Sequence, residues 1–461
     1  MKILERRPYR IDIGWPGIAI DGAGAETARA AHVASRPPPS FRAKRAEDDL
    51  ISRSGPIVLI GEAKGREKLG VAIVSAPERA TELDGLRGWA AVSVVLFHLV
   101  SETFGAIFPV LRHPLIAMFL NGNLAVCVFF ILSGEALSVG FMRSRNGRQA
   151  VSMMLKRYTR LTVPIFLSCL IVFALYKAHL TFNVPAGQLV KRGDWLGSFL
   201  SENISLKSFV QYVFVNVYSE VPLKQAFNPF LWTMRVELIG SVLVIFMLLS
   251  WHWVKNKLWL FLLSGIFLQI TVTTGYISLF FIGMYFAWLR IERPAAAPLI
   301  LSSGIVPIVL IFLLLGCIPL LNHVGTAPFR IEQVFAPILV FLVLRNRWPI
   351  AFLRVPFSQF LGKISFSIYL IQFPVIISAT SYMIVRLGAA QALTAFNCAI
   401  VIAASLVLCV IGAWLFLVIE KLAARIGEFM SNTFLHAVAE TPPSPQDPHE
   451  SLSAPDIPCS G

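Results

Sequence analysis

The sequence predicts an all-α fold, a polytopic membrane helix bundle of about ten transmembrane helices with both termini in the cytoplasm. Four observations carry that prediction. Of 461 residues, 56% are hydrophobic and 14% charged, and the mean hydropathy is +0.70, which is more apolar surface than a soluble fold can hide. The apolar residues gather in runs of about 20, long enough to cross a hydrocarbon core of about 30 Å at about 1.5 Å per residue. Alternating β-barrel segments are missing from the pattern, so the spans read as helices. The Lys and Arg residues, finally, fall unevenly between the two ends of those runs.

In chain order, residues 1–81 are Arg-rich and Pro-punctuated, with Arg36-Pro37-Pro38-Pro39. They read as a disordered basic cytoplasmic extension. Residues 82–425 form the transmembrane domain, with spans expected at roughly 86–107, 122–141, 161–180, 230–250, 258–275, 277–290, 298–320, 331–344, 363–385 and 394–419. Residues 426–461 read as a disordered C-terminal tail. The segment between the second and third spans carries Arg143, Arg145, Arg148, Lys156, Arg157 and Arg160, whereas the opposite side has only Arg112, Arg330 and Arg386 in its short loops. The basic side is cytoplasmic. The longest loop, about Thr181 to Asn228, then faces out; it mixes charges with Trp195, Tyr212 and Tyr218 and suits an interfacial helix and part of an acceptor site.

The net charge of +14 is spread over the extension and the loops rather than clustered on a soluble domain, which argues against nucleic acid as a partner and leaves membrane lipids. Cys127, Cys169, Cys317, Cys398 and Cys409 lie in apolar runs without paired spacing. They read as small hydrophobes, and no metal site is expected.

Chemistry-bearing residues inside the spans are few. His98 stands about 12 residues into the first span, hence about 18 Å from its cytoplasmic end, and an imidazole at such depth is a candidate base. Glu102, four residues on, is near the outer interface and reads as a solvated carboxylate. Asp84 reads as an N-cap and Arg87 as a surface cation; the alternative is a role in holding the phosphates of a donor, since a helix N-terminus next to an Arg suits anions. The fourth span runs Leu231-Trp232-Thr233-Met234-Arg235-Val236-Glu237; entering from outside, it brings Glu237 to the depth of His98, as a proton-transfer pair requires. Its competing reading is a salt bridge with a distant Arg. In the second span, Ser133 and Gly134 permit close helix approach, and Glu135 needs a partner such as Arg157 or Arg160. Arg157 and Arg160 at the mouth of the third span anchor it or greet a phosphorylated donor. Ser365, Tyr369 and Gln372 form one polar stripe on the ninth span, explained by interhelical hydrogen bonds or by a site.

Taken in order, the stretches Leu83 to His98, Phe129 to Gly134, Arg157 to Pro164, Leu231 to Glu237 and Phe360 to Pro374 resemble the acyltransferase 3 family of multispan membrane O-acyltransferases. The resemblance implies transfer of an acyl group, commonly acetyl, from cytoplasmic acyl-CoA (acetyl-CoA) to a hydroxyl of a carbohydrate, glycolipid or other small acceptor, with no bound cofactor. It implies that His98 and Glu237 are catalytic, that Arg157 and Arg160, with Arg87, bind acyl-CoA, and that Asp84, Trp232, Ser133, Tyr369 and Gln372 support them. The family often has His where this chain has Gln372, which cannot shuttle a proton but can position the acceptor by hydrogen bonds. The competing expectations are a transporter or flippase of a lipid-linked or small-molecule substrate, and a structural membrane partner.

Overall fold

A backbone in lipid must close its own hydrogen bonds, and every regular element among the described residues is helical. The computed structural model describes residues 80–440 apart from 145–146, 201–203, 220–225, 252, 268–269, 293–304 and 325–330. The expected extension up to residue 79 and the tail beyond Glu440 lie outside the described residues.

The principal helices are α1 (Thr81–Leu96), which continues as a π-helix over Phe97–Glu102, α2 (Gly122–Ser144) and α3 (Gly147–Lys177). Two short helices of the long loop follow, α4 (Asn183–Leu189) and α5 (Leu206–Phe214). Then come α6 (Trp232–Leu249), α7 (Lys257–Phe267), α8 (Val272–Glu292), α9 (Val306–Val324), α10 (Ile331–Arg345) and α11 (Arg347–Arg354). α12 (Pro356–Val375) passes through a second π-helix, Ile376–Thr380, into α13 (Ser381–Ala389), and α14 covers Ala395–Glu440.

Among the described residues, seven helical segments are long and apolar enough to cross a membrane, and α10 with α11, bent by 84°, makes an eighth if the pair is one span. Each of the ten expected runs falls on a helix, but α7 has 11 residues and α9 is among the shorter apolar helices. The boundary between the fifth and sixth runs is corrected. Thr271 accepts from the Thr274 N–H at 3.1 Å, which starts α8 ahead of Gly275, a residue expected in the preceding span. The last helix also runs past the expected end at residue 425. Ser431 Oγ donates to Ser152 Oγ at 2.8 Å and holds that extension against α3.

Two backbone contacts set the bundle. A Cβ on Gly88 would lie 2.4 Å from Gly362 N, and one on Gly362 would lie 2.2 Å from Asp84 O, so α1 and α12 touch through their main chains. Likewise α2 and α8 cross where a Cβ on Gly134 would meet Phe280 O at 2.1 Å and one on Gly283 would meet Ile131 O at 2.0 Å. Gly134 thus has the packing role its size suggests.

Candidate active site

α1 and α12 run parallel from the glycine contact. His98 lies 98 − 88 = 10 residues beyond Gly88 and Gln372 lies 372 − 362 = 10 residues beyond Gly362, so both side chains stand about 15 Å further along their helices. There His98 Nδ1 is 3.1 Å from Gln372 Oε1. The amide cannot be reversed without loss, because Gln372 Nε2 donates to the Tyr369 carbonyl at 3.2 Å. Gln372 is wholly buried. With its oxygen facing the imidazole, Nδ1 must be the protonated nitrogen, a tautomer assigned from the network. Nε2 is left with its lone pair and no partner among the described residues, which is the state a base requires.

Both helices depart from α geometry at this level. In the first π-segment the Thr103 N–H reaches back five residues to the His98 carbonyl at 3.1 Å, and Thr103 Oγ1 donates to the same oxygen at 2.7 Å. On α12 the ring of Pro374 removes one backbone donor, the second π-segment follows, and the Ile377 carbonyl accepts from Phe182 N at 2.8 Å. Such π-turns recur at functional sites.

The ring of Phe230 stacks on the imidazole with centroids 3.9 Å apart and planes 12° apart. Its position is fixed by the residues around it. Asn228, wholly buried, caps the turn by accepting from Phe230 N at 3.2 Å. Tyr212 Oη donates to the Asn228 carbonyl at 2.9 Å. Tyr369 Oη donates to the Phe230 carbonyl and lies 2.8 Å from Thr233 Oγ1. Tyr369 therefore acts on the site through Phe230.

The structure does not bring Glu237 to His98. The Glu237 carboxylate pairs with Arg157 and accepts from Ser133 Oγ at 2.7 Å, while Arg157 Nε donates to Ser241 Oγ at 2.7 Å. The expected equal depth does not hold: Phe230, not Glu237, stands at the level of His98, and Glu237, 237 − 230 = 7 residues further on, lies about 10 Å along the span toward the arginine cluster. The arginines expected to share a task are close to one another: the charges of Arg87 and Arg160 act on Arg157, and both also act on Glu420, which accepts from Ser367 Oγ. This cluster sits 98 − 87 = 11 residues, about 16 Å, below His98 along α1.

Other expected positions shift. Asp84 is not the N-cap, because α1 begins at Thr81 with Ala80 ahead of it; Asp84 lies in the first turn. Trp232 is 44% exposed and meets Tyr276 with centroids 5.4 Å apart, on the outer surface of the bundle. Glu135 pairs with Arg290 at 2.9 Å rather than with Arg157 or Arg160. Glu102 is not a free surface carboxylate: it accepts from Arg192 Nη2 at 2.9 Å.

Trp195 and the charges beside it were expected only as members of a loop suited to an acceptor site; the structure brings Arg192 to Glu102 and Trp195 to His98. Arg192, 8% exposed, also donates to the Glu102 carbonyl at 2.8 Å and to Asp194 at 3.2 Å. Slight burial raises the Asp194 carboxyl, but the hydrogen bond and charge of Arg192, with backbone donors, outweigh it and hold the group below its ordinary value. Trp195 stands with its ring 6.0 Å from that of His98 and 6.2 Å from that of Phe230. The available signal was a lone Trp beside Arg192 and Asp194 in the longest loop.

The family model described as an acyltransferase domain matches residues 81–418. The O-acetyltransferase PaAT-1 of Phomopsis amygdali is 29% identical over 245 residues, covering 46% of this chain and 48% of that protein. The matched stretch thus spans about half the length of that relative. No solved structure matches the chain.

Proposed function

We infer the reaction from the premise that this chain belongs to the acyltransferase family whose domain covers residues 81–418: it is a membrane acyltransferase, and we propose that it moves acetyl from cytoplasmic acetyl-CoA to a hydroxyl of a carbohydrate or glycolipid. The choice of acetyl draws on the O-acetyltransferase of Phomopsis amygdali. The proposed topology is multi-pass, with about ten spans and both termini cytoplasmic, on the strength of the loop charges.

The observation that carries the mechanism is the orientation of His98 by Gln372. Nε2 takes the proton of the acceptor hydroxyl as its oxygen bonds to the thioester carbonyl carbon. The tetrahedral intermediate then expels the CoA thiolate, and the imidazolium returns the proton to that sulfur. Arg87, Arg157 and Arg160 hold the donor's phosphates, with Glu237 orienting Arg157. Gln372 occupies the supporting role that the sequence suggested for Glu237.

Purified protein given acetyl-labelled acetyl-CoA and membrane lipid extract should produce an acetylated lipid or glycan, seen by mass spectrometry, and His98→Ala should abolish it. Unchanged turnover in that variant overturns His98 as the base. Acid quenching during turnover tests the covalent route: label retained on the denatured protein would identify an acyl-enzyme.

A further inference from the structure

A base aimed at a hydroxyl needs something to hold the molecule that bears it, and the outer loop supplies an aromatic wall at that point. The segment from Arg192 to Phe199 is built rather than draped. Asn183, 2% exposed, donates to the Leu196 and Phe199 carbonyls at 3.1 and 2.8 Å. The Gly197 N–H returns to the Arg192 carbonyl at 3.1 Å. Lys191 and Leu200 bracket the segment with φ of 57° each, a left-handed conformation costly for residues with a Cβ. Arg192 ties the whole to the π-turn through Glu102, and its guanidinium lies 5.4 Å from the Trp195 ring centre.

All this holds one indole beside His98 and Phe230, with Phe199 edge-on at 5.1 Å. The indole N–H has no hydrogen-bond partner among the described residues. Trp combines an apolar face with a single donor, and binding sites of this kind are mostly apolar with a few placed polar groups.

We propose that Trp195 is an acceptor-binding residue, against whose face a pyranose ring lies with one hydroxyl directed to His98 Nε2. A pyranose fits because its C–H face matches the indole while its rim of hydroxyls meets the indole N–H and the imidazole. The proposal deepens the acyltransferase reading and rests on it for the role of His98.

The test uses the full chain in nanodiscs with n-hexyl β-D-glucoside as the probe, and reads carbethoxylation of His98 by diethyl pyrocarbonate through peptide mass spectrometry. The glucoside should slow modification of His98, and 1-hexanol should not. Trp195→Ala should raise the half-protection concentration roughly fivefold. Trp195→Phe keeps a ring and loses the donor, and should raise it roughly threefold; it decides the matter alone if the Ala variant does not fold. No protection in the wild type, equal protection by 1-hexanol, or unchanged half-protection in the variants overturns the proposal. Protection needs no turnover, so a negative result here leaves the His98→Ala experiment standing, and the reverse also holds.

Discussion

Gln372 Oε1 and His98 Nδ1 lie 3.1 Å apart across two parallel helices, and the Tyr369 carbonyl pins the amide in the one orientation that makes the imidazole the donor. A neutral amide here does what a carboxylate does in a hydrolytic triad, fixing tautomer and direction without adding charge.

Gln372→Met keeps the length of the side chain and loses both hydrogen bonds. The turnover number should fall about tenfold to a hundredfold, with the KM for acetyl-CoA unchanged, because only the base loses its orientation. Steady-state kinetics on the purified variant will separate the two constants, and a rise in KM alone would contradict the assignment.

The Arg157 and Glu237 pair predicts a difference between single and double variants. Glu237→Leu strands a guanidinium that is 22% exposed, and should cost about 3–5 kcal/mol of stability. Combining it with Arg157→Met should recover most of that loss, while acetyl-CoA turnover should stay low on the proposal that Arg157 holds the donor's phosphates. Thermal unfolding in detergent, measured alongside turnover, checks both halves.

At the main-chain contacts, Gly283→Ala and Gly88→Ala should each destabilise by about 1–3 kcal/mol, since backbone atoms cannot withdraw as a side chain would. Gly316→Ala in α9, where an added Cβ meets nothing within 4 Å, should be neutral or slightly stabilising. The three melting temperatures, compared at equal lipid content, test the difference.

Removing the tie between the long loop and the π-segment after α1 should loosen that loop selectively. Arg192→Gln takes away the ion pair to Glu102 at 2.9 Å, and should speed amide exchange at Trp195 and Gly197 roughly tenfold. Peptides from α2 and α8 should exchange as before in hydrogen-exchange mass spectrometry; a uniform increase would mean general destabilisation instead.

Much of this was readable from the chain. Runs of apolar residues located the helices, the basic segment before Pro164 located the arginine cluster, and depth alone singled out His98. Depth counted from an assumed entry point misplaced Glu237: the chain brings Phe230 to His98, and the carboxylate seven residues on reaches Arg157 instead. Gln372, 274 positions away, was visible as part of a polar stripe and as a supporting position of the family, but not as the partner of His98; their meeting depends on matched distances from a glycine contact. The π-turn also hid Glu102, because it changes the angular step after His98 and directs that carboxylate to the loop.

The contact of Gly88 with Gly362 has a mechanical consequence. Two helices that touch backbone to backbone have no layer of side chains to shear, so α1 and α12 form one stiff strut carrying the base and its orienting amide together. A cycle of inward and outward opening could not part them without breaking that weld. On the proposed reaction, the donor would therefore reach the strut from the arginine end and the acceptor past the tryptophan, with the reacting geometry fixed between turnovers.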